Sequence, residues 1–308
     1  MTSTPAPHLP RTTDLPPSVT LADGEGGLPV VRVATAVATG EVYLQGAHLT
    51  AWQPACGDPV IWLSGAAQFR PGAAIRGGVP VCFPWFGAGR TPGLAPAHGF
   101  ARTTPWRLTN AADDAGTVTL TFALTHDDVA GAPGTEHWSF AFEAEYTVTV
   151  GAALTLALTV RNTGEETFSF EEALHTYLAV SDVRTATVAG LDGARYLDKT
   201  APSGAAPVLQ SGPVTFSGVT DRVYRRGTSL TVTDPGARSI TVTPGDAADT
   251  VVWNPWAEKA AAMADIGDEE WPTMVCVETA NVLDDAVTVA AGGSHTMSVT
   301  YEVGPASR

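Results

Sequence analysis

A histidine and a glutamate that face one another can pass protons to and from a substrate. The chain has 308 residues and offers one such combination on two strand-like runs. The first is "FEEALHTYLAV" (170–180), which carries His175; the second is "MVCVETAN" (274–281), which carries Glu278. Side chains alternate across a strand. Glu171, Ala173, His175 and Tyr177 therefore share one face, while Phe168, Phe170, Glu172, Leu174 and Leu178 take the other, which reads as the core. By the same alternation Met274, Cys276 and Glu278 share a face. If the two strands are neighbours, Glu278 is a candidate partner for His175. Ordinary alternatives exist for both. A strand histidine can be a hydrogen-bonded structural residue, and in a chain with 32 acidic residues Glu278 can be the first exposed residue where an apolar strand ends.

A second concentration of chemistry lies in "IRGGVPVCFPWFGAGRTPGLAPAHGFAR" (75–102). Its glycines, prolines and aromatics suit close backbone turns and a walled pocket rather than a strand. Arg76, Arg90, His98 and Arg102 sit inside it. Guanidinium forks suit phosphate or sugar oxygens; the alternative is an ordinary loop with solvated arginines. Lys and Arg total 17 against 32 Asp and Glu, a net charge of −15. That field disfavours nucleic acid and anionic membrane as partners, and an anionic ligand would need local arginines to bind at all. "DRVYRR" (221–226) places Asp221 beside a basic run. Alone it reads equally as a surface salt-bridge cluster.

Other chemistries leave no mark. There is no GxSxG, GxxxxGK[ST], HExxH or CxxC, and the seven histidines are too scattered to predict a metal site. Cys56, Cys82 and Cys276 are odd in number, widely spaced and in apolar surroundings, which fits a reducing cytosol rather than a disulfide framework. No run of eighteen apolar residues is present, and the N-terminus lacks the apolar stretch of a secretory signal. A cytoplasmic location is the expectation.

The elements that would position these residues read as strands. Period-2 patterns cover 117–126, 139–151, 153–164, 167–180, 229–234, 239–245, 250–256 and 295–304, with turn signals such as "RNTGEE" and "DPGA" between them. Strand follows strand without intervening helix, which predicts an antiparallel sandwich. The best helix candidate is "PWAEKAAAMAD" (255–265), with Pro255 at its start and Gly267 beyond its end. Residues 1–18 read as a loose proline-rich leader, and residues 19–308 as one domain. No apolar patch suggests a partner chain, so a monomer is the expectation.

The stretches "GAHLTAWQP" (46–54), "IRGGVPVCFPWFG" (75–87), "HGFAR" (98–102), "ALHTYLAV" (173–180), "DRVY" (221–224), "VVWNPWAEKAAAMAD" (251–265) and "MVCVETANV" (274–282) resemble, in this order, the aldose 1-epimerase (galactose mutarotase-like) superfamily. They are most similar to its hexose-6-phosphate mutarotase branch, and the resemblance spans residue 20 to the end. It implies an all-β fold, a large antiparallel β-supersandwich with one or two short helices. It also implies interconversion of the anomers of a hexose 6-phosphate, a small-molecule sugar phosphate as ligand, and no cofactor or metal. By match to the family's motifs, His175 would be the general acid and Glu278 the general base, one at each reacting oxygen. His98 would hold the sugar, Arg76 and Arg102 the phosphate, and Asp221 would line the site; Arg90 matches no motif. The reference pKa of His175, about 6.5, suits this role, and an ionised Glu278 beside it would favour the protonated imidazole. Rival readings are a non-catalytic carbohydrate-binding sandwich, a sugar-phosphate sensor, a mutarotase of unphosphorylated aldoses, and a glycoside hydrolase pairing Glu171 or Asp221 with Glu278.

Overall fold

The computed structural model describes residues 15–305. Two eight-stranded antiparallel sheets dominate, joined by a four-stranded sheet over residues 19–54 and a two-stranded ribbon of Phe168–Phe170 with Val287–Val289. One large sheet runs, in spatial order, Thr187–Ala189, Leu230–Asp234, Arg238–Gly245, Ser294–Pro305, Leu154–Asn162, Phe142–Val150, Thr117–Thr125 and Arg107–Asp114. Its alternation is strict: in Thr117–Thr125 every second residue is buried, with threonines between them partly exposed. Val118, Leu120, Phe122 and Leu124 face one way and meet Val252, Val275 and Val277 of the other large sheet in one continuous core. Burying such β-branched and aromatic side chains, about 1.5–3 kcal/mol each, holds the two layers together.

The other large sheet carries the candidate residues. Its central order is Thr220–Tyr224, Asp249–Asn254, Met274–Asn281, Glu172–Leu174 and Val81–Cys82, and Tyr177–Ala179 also pairs with Met274–Asn281. The run 167–180, expected as one strand, is three: Phe168–Phe170, Glu172–Leu174 and Tyr177–Ala179. Two local causes divide it. The chain changes partner at Glu171, whose N–H donates to the Pro84 carbonyl, and a tight turn at His175 joins the Thr176 N–H to the Leu174 carbonyl. The pairing register is nonetheless unbroken, with Leu174 opposite Thr279 and Tyr177 opposite Cys276.

The helix is shorter than expected, Trp256–Ala261. Beyond it two tight turns, from the Met263 N–H to the Ala260 carbonyl and from the Ile266 N–H to the Met263 carbonyl, bring Asp265 to Arg76 and bury Ile266. The strand 274–281 does not end at Glu278, which rules out the alternative of a first exposed residue there; it continues to Asn281 with all eight residues buried. Cys82 and Cys276 are buried, but Cys56 is exposed, so its surroundings are not apolar. Of the expected leader, residues 1–14 lie outside the described residues. Residues 15–18 are part of the folded body: Leu15 packs on the main core and the Ser18 carbonyl accepts from the Ala34 N–H.

Candidate active site

Alternation along three adjacent strands builds the site. On the face turned away from the main core, Met274, Cys276, Tyr177 and Trp253 form one small apolar cluster, and Ala280, Ala173 and Val251 belong to another. Between the two clusters the same face presents His175 and Glu278. Leu174 opposite Thr279 and Tyr177 opposite Cys276 put these two directly across from each other. Residues 103 apart in the chain thus become cross-strand neighbours. His175 Nδ1 lies 3.4 Å from Glu278 Oε1, with the carboxyl almost wholly buried.

The imidazole stacks on Tyr177, ring centres 4.9 Å apart and planes at 8°, and meets the edge of Trp253 at 6.1 Å. These contacts fix its plane. His98 lies 5.5 Å from it, centre to centre. His98 has a left-handed backbone, φ 65°, which costs a non-glycine residue about 1 kcal/mol or more. Two bonds hold it there: its N–H donates to the Gly87 carbonyl at 2.7 Å, and the Gly87 N–H donates to its Nδ1 at 3.2 Å. An Nδ1 that accepts leaves the proton of the neutral ring on Nε2, so His98 is set up as a donor. The next residue must be glycine. Gly99 has φ 74°, and a Cβ there would lie 2.1 Å from the Phe83 carbonyl oxygen.

His175, Glu278, His98, Arg76, Arg102 and Asp221 all line one cleft of about 260 Å³. This is near the small end of ligand pockets, about 300–1,000 Å³, and suits a monosaccharide derivative. Every residue predicted for the site is therefore brought together. Arg90 and Glu171 are not. Arg90 lines a separate cleft of about 510 Å³ with Trp85, while its neighbour Phe86 lines the first. Glu171, expected on the His175 face, does not line this cleft: its buried carboxylate accepts from the Phe86 N–H at 3.0 Å and the Leu283 N–H at 2.7 Å. It staples the aromatic loop to the end of the Glu278 strand, and this commitment removes it as a hydrolytic partner for Glu278. The "DRVYRR" run divides its work: Asp221 enters the cleft, whereas Arg225 pairs with Asp284 and Asp285 at 3.0 Å on the surface.

Several cleft residues had no role assigned from the sequence: Phe86, Trp253, Lys259 and Met263 lie inside the matched stretches, and Lys199 lies outside all of them. Lys199 sits 4.9 Å above the Phe86 ring, and Lys259 lies 3.7 Å from Asp221 and 5.7 Å from the Trp253 ring. One signal was available. Lys199 and Lys259 are the only two lysines in the chain, and both line this cleft.

Burial dominates the electrostatics. It pushes Glu278 well above the ordinary carboxylate range, and Asp221 adds to the rise against Lys199 and Arg102. Burial pushes His175 well below 6.5, reinforced by Arg102 and Arg76. The expectation that Glu278 would hold His175 protonated is thus reversed. In the free protein burial disfavours the charged form of each group. Arg76 behaves differently. Burial opposes its charge, but Tyr177 and Asp265 more than offset that and raise its pKa. Its guanidinium donates to Tyr177 Oη at 2.9 Å and Asp265 Oδ2 at 3.0 Å.

Nine buried side-chain polar atoms lack a partner among the described residues, and four belong to this cleft: Arg76 Nε, Arg102 Nε, His175 Nδ1 and Glu278 Oε2. Buried polar groups are nearly always hydrogen-bonded, so such a concentration marks a place where a ligand supplies the partners. No group of three or more His, Cys, Asp or Glu able to hold a metal ion occurs among the described residues.

A twisted antiparallel supersandwich with a histidine–glutamate pair in a cation-rimmed cleft defines the class, and comparison with known families agrees. The chain belongs to the aldose 1-epimerase family, which matches residues 30–302. It is an epimerase, and its substrate is a sugar. A protein of Escherichia coli (strain K12) named "Putative glucose-6-phosphate 1-epimerase" is 41% identical over 77% of this chain and 78% of its own length. The protein of the same name from Salmonella typhimurium is 38% identical over 77% of each chain. The crystal structure of a "putative mutarotase" from Salmonella typhimurium is 32% identical, covers 94% of this chain and 95% of its own, and superposes with a TM-score of 0.85. No helix of the described residues is long and apolar enough to cross a membrane.

Proposed function

We propose that this protein is a glucose-6-phosphate 1-epimerase, interconverting the α and β anomers of a hexose 6-phosphate by acid–base ring opening. The observation that carries the reading is the 3.4 Å approach of His175 to Glu278 in a cleft also lined by Arg76, Arg102, Lys199 and Lys259. The names of the E. coli and Salmonella relatives support the phosphorylated substrate. So does the cation count: four of the 17 basic residues of a chain with net charge −15 converge on this cleft. Arg102 keeps a buried, unpartnered Nε while one terminal nitrogen donates to the Ala97 carbonyl at 2.8 Å.

In the reactive state Glu278 is a carboxylate and His175 an imidazolium. Glu278 takes the proton of the anomeric hydroxyl, O1–H. His175 gives a proton to the ring oxygen O5 as the C1–O5 bond breaks and C1=O1 forms. The aldehyde rotates about C1–C2, O5–H returns its proton to His175 while attacking C1, and Glu278 reprotonates O1. Each group ends as it began, so the cycle needs no outside proton. Both reacting oxygens are bonded to C1, so acid and base belong side by side on adjacent strands rather than a ring's width apart. His98, donating through Nε2, is placed to hold a sugar oxygen, and Asp221, with Lys259, to hold a hydroxyl.

Exchange NMR on glucose 6-phosphate tests this. The wild-type protein should accelerate anomer exchange, and His175→Asn should lower the rate by about 10²–10⁴-fold, the usual worth of a positioned acid. A variant rate near wild type would reject the assignment.

A further inference from the structure

Arg76 lines the cleft with its donors already partly engaged. A guanidinium carries N–H groups on three nitrogens. Here Nη1 donates to Tyr177 Oη at 2.9 Å and Nη2 to Asp265 Oδ2 at 3.0 Å, while the buried Nε has no partner among the described residues. The pair with Asp265 is only partly exposed, 21% and 25% for the two side chains, so solvent and salt screen it less than a surface pair. Arg102 is held differently, by a backbone oxygen, the Ala97 carbonyl at 2.8 Å. Asp265 is itself anchored. The Ile266 N–H donates to the Met263 carbonyl, and the Gly267 N–H donates to Glu270 Oε2 at 2.9 Å. The Glu270 carboxylate also accepts from Ser64 Oγ and the Gly65 N–H. Ile266 is buried in the apolar cluster that contains Tyr177. The Asp265 carboxylate therefore projects from a fixed turn. It does not line the cleft, so it reaches a ligand only through Arg76.

We propose that Asp265 is a positioning residue for the anionic group of the substrate: together with Tyr177 it pins the terminal nitrogens of Arg76, so that Nε and the remaining N–H groups meet the phosphoryl oxygens on a guanidinium that is already ordered. Arginine has a long side chain, and ordering it at the moment of binding weakens affinity; holding it in place beforehand removes that cost. Tyr177, the other acceptor, stacks on His175 with ring centres 4.9 Å apart. The arginine that receives the anion and the ring that carries the acid thus share one support. The charge of Asp265 acts against its hydrogen bond, since a carboxylate near the anion end repels a phosphoryl group. The two effects have opposite signs, and substitution separates them. This inference rests on the reading of Arg76 as part of the anion end of the cleft.

Asp265→Asn and Asp265→Ala both remove the charge, but only asparagine keeps a side-chain oxygen for Arg76. Anomer exchange of glucose 6-phosphate and of glucose is measured on the full chain carrying each substitution. KM for glucose 6-phosphate should be about three- to tenfold higher in Asp265→Ala than in Asp265→Asn, the cost of ordering one long side chain on binding. The kcat values of the two variants should be alike, because the lost interaction is made equally in the ground and transition states. On glucose the two variants should have the same kcat/KM. Equal KM values for glucose 6-phosphate overturn the inference and leave Asp265 only as a charge. An equal loss on both sugars in Asp265→Ala also overturns it, as a general structural defect. The phosphate reading is judged on the wild-type protein. A clear preference for glucose 6-phosphate over glucose, combined with equal KM values in the two variants, leaves that reading standing and removes this one. No preference in the wild type removes both.

Discussion

Glu278→Gln separates what the carboxylate does for chemistry from what it costs the fold. The side chain is almost wholly buried and lies between two apolar clusters, with one oxygen unpartnered. At pH 7.5 the folded protein must bury a charge or hold a proton against a reference pKa of 4.5. Holding the proton costs at most about 1.36 kcal/mol per pH unit over three units, roughly 4 kcal/mol. Ionisation happens only if it costs less, so roughly 4 kcal/mol is a ceiling. Glutamine keeps the shape and carries no such cost, and its amide N–H can donate to the free Nδ1 of His175. A gain of about 1–3 kcal/mol is expected, or about 2–6 °C in Tm at roughly 2 °C per kcal/mol for a chain of this size. The pH dependence has a definite sign. The folded pKa of Glu278 is raised, so its contribution to stability is fully present below pH 4.5 and is lost as pH rises through the folded value. The advantage of Glu278→Gln should thus grow with pH above 4.5 and shrink towards zero near it. Calorimetry at pH 5 and 7.5, with anomer exchange measured on the same samples, reads both effects. The variant should be more stable and slower by about 10²–10⁴-fold. Equal or lower stability at pH 7.5, or an advantage independent of pH, would refute the electrostatic account.

Two further outcomes are expected. Lys199→Met should reduce kcat/KM for glucose 6-phosphate at least tenfold and leave free glucose within a few-fold, since one charge-assisted contact is worth about 1.5–3 kcal/mol; equal losses on both sugars would remove Lys199 from the anion end. Gly99→Ala should destabilise the fold by more than about 1–2 kcal/mol, because it combines a left-handed φ with a Cβ placed 2.1 Å from the Phe83 carbonyl oxygen; urea denaturation with an unchanged midpoint would contradict the close approach.

The amino-acid sequence by itself determined which side chains share a face. Period-2 alternation put Leu174 and Leu178 with the core and His175 with Tyr177, and put Glu278 with Met274 and Cys276, as the apolar clusters bear out. It also marked 75–102 as a walled loop, because its glycines and prolines cannot be spent in a strand. Tertiary structure decided the rest. The contact between His175 and Glu278 depends on which strands are neighbours, and the pairing of distant strands, such as the Val277 N–H to the Thr176 carbonyl, leaves no local pattern. Arg76 and Arg102 reach the cleft while Arg90 does not, because adjacent residues of that loop face opposite walls. Lys199 comes from a segment outside every matched stretch, and Lys259 from the short helix, whose periodicity does not say which residue turns to the cleft. The protonation of the pair was misread from reference values because burial, which sets it, is a property of everything packed around a residue and not of the residues beside it in the chain.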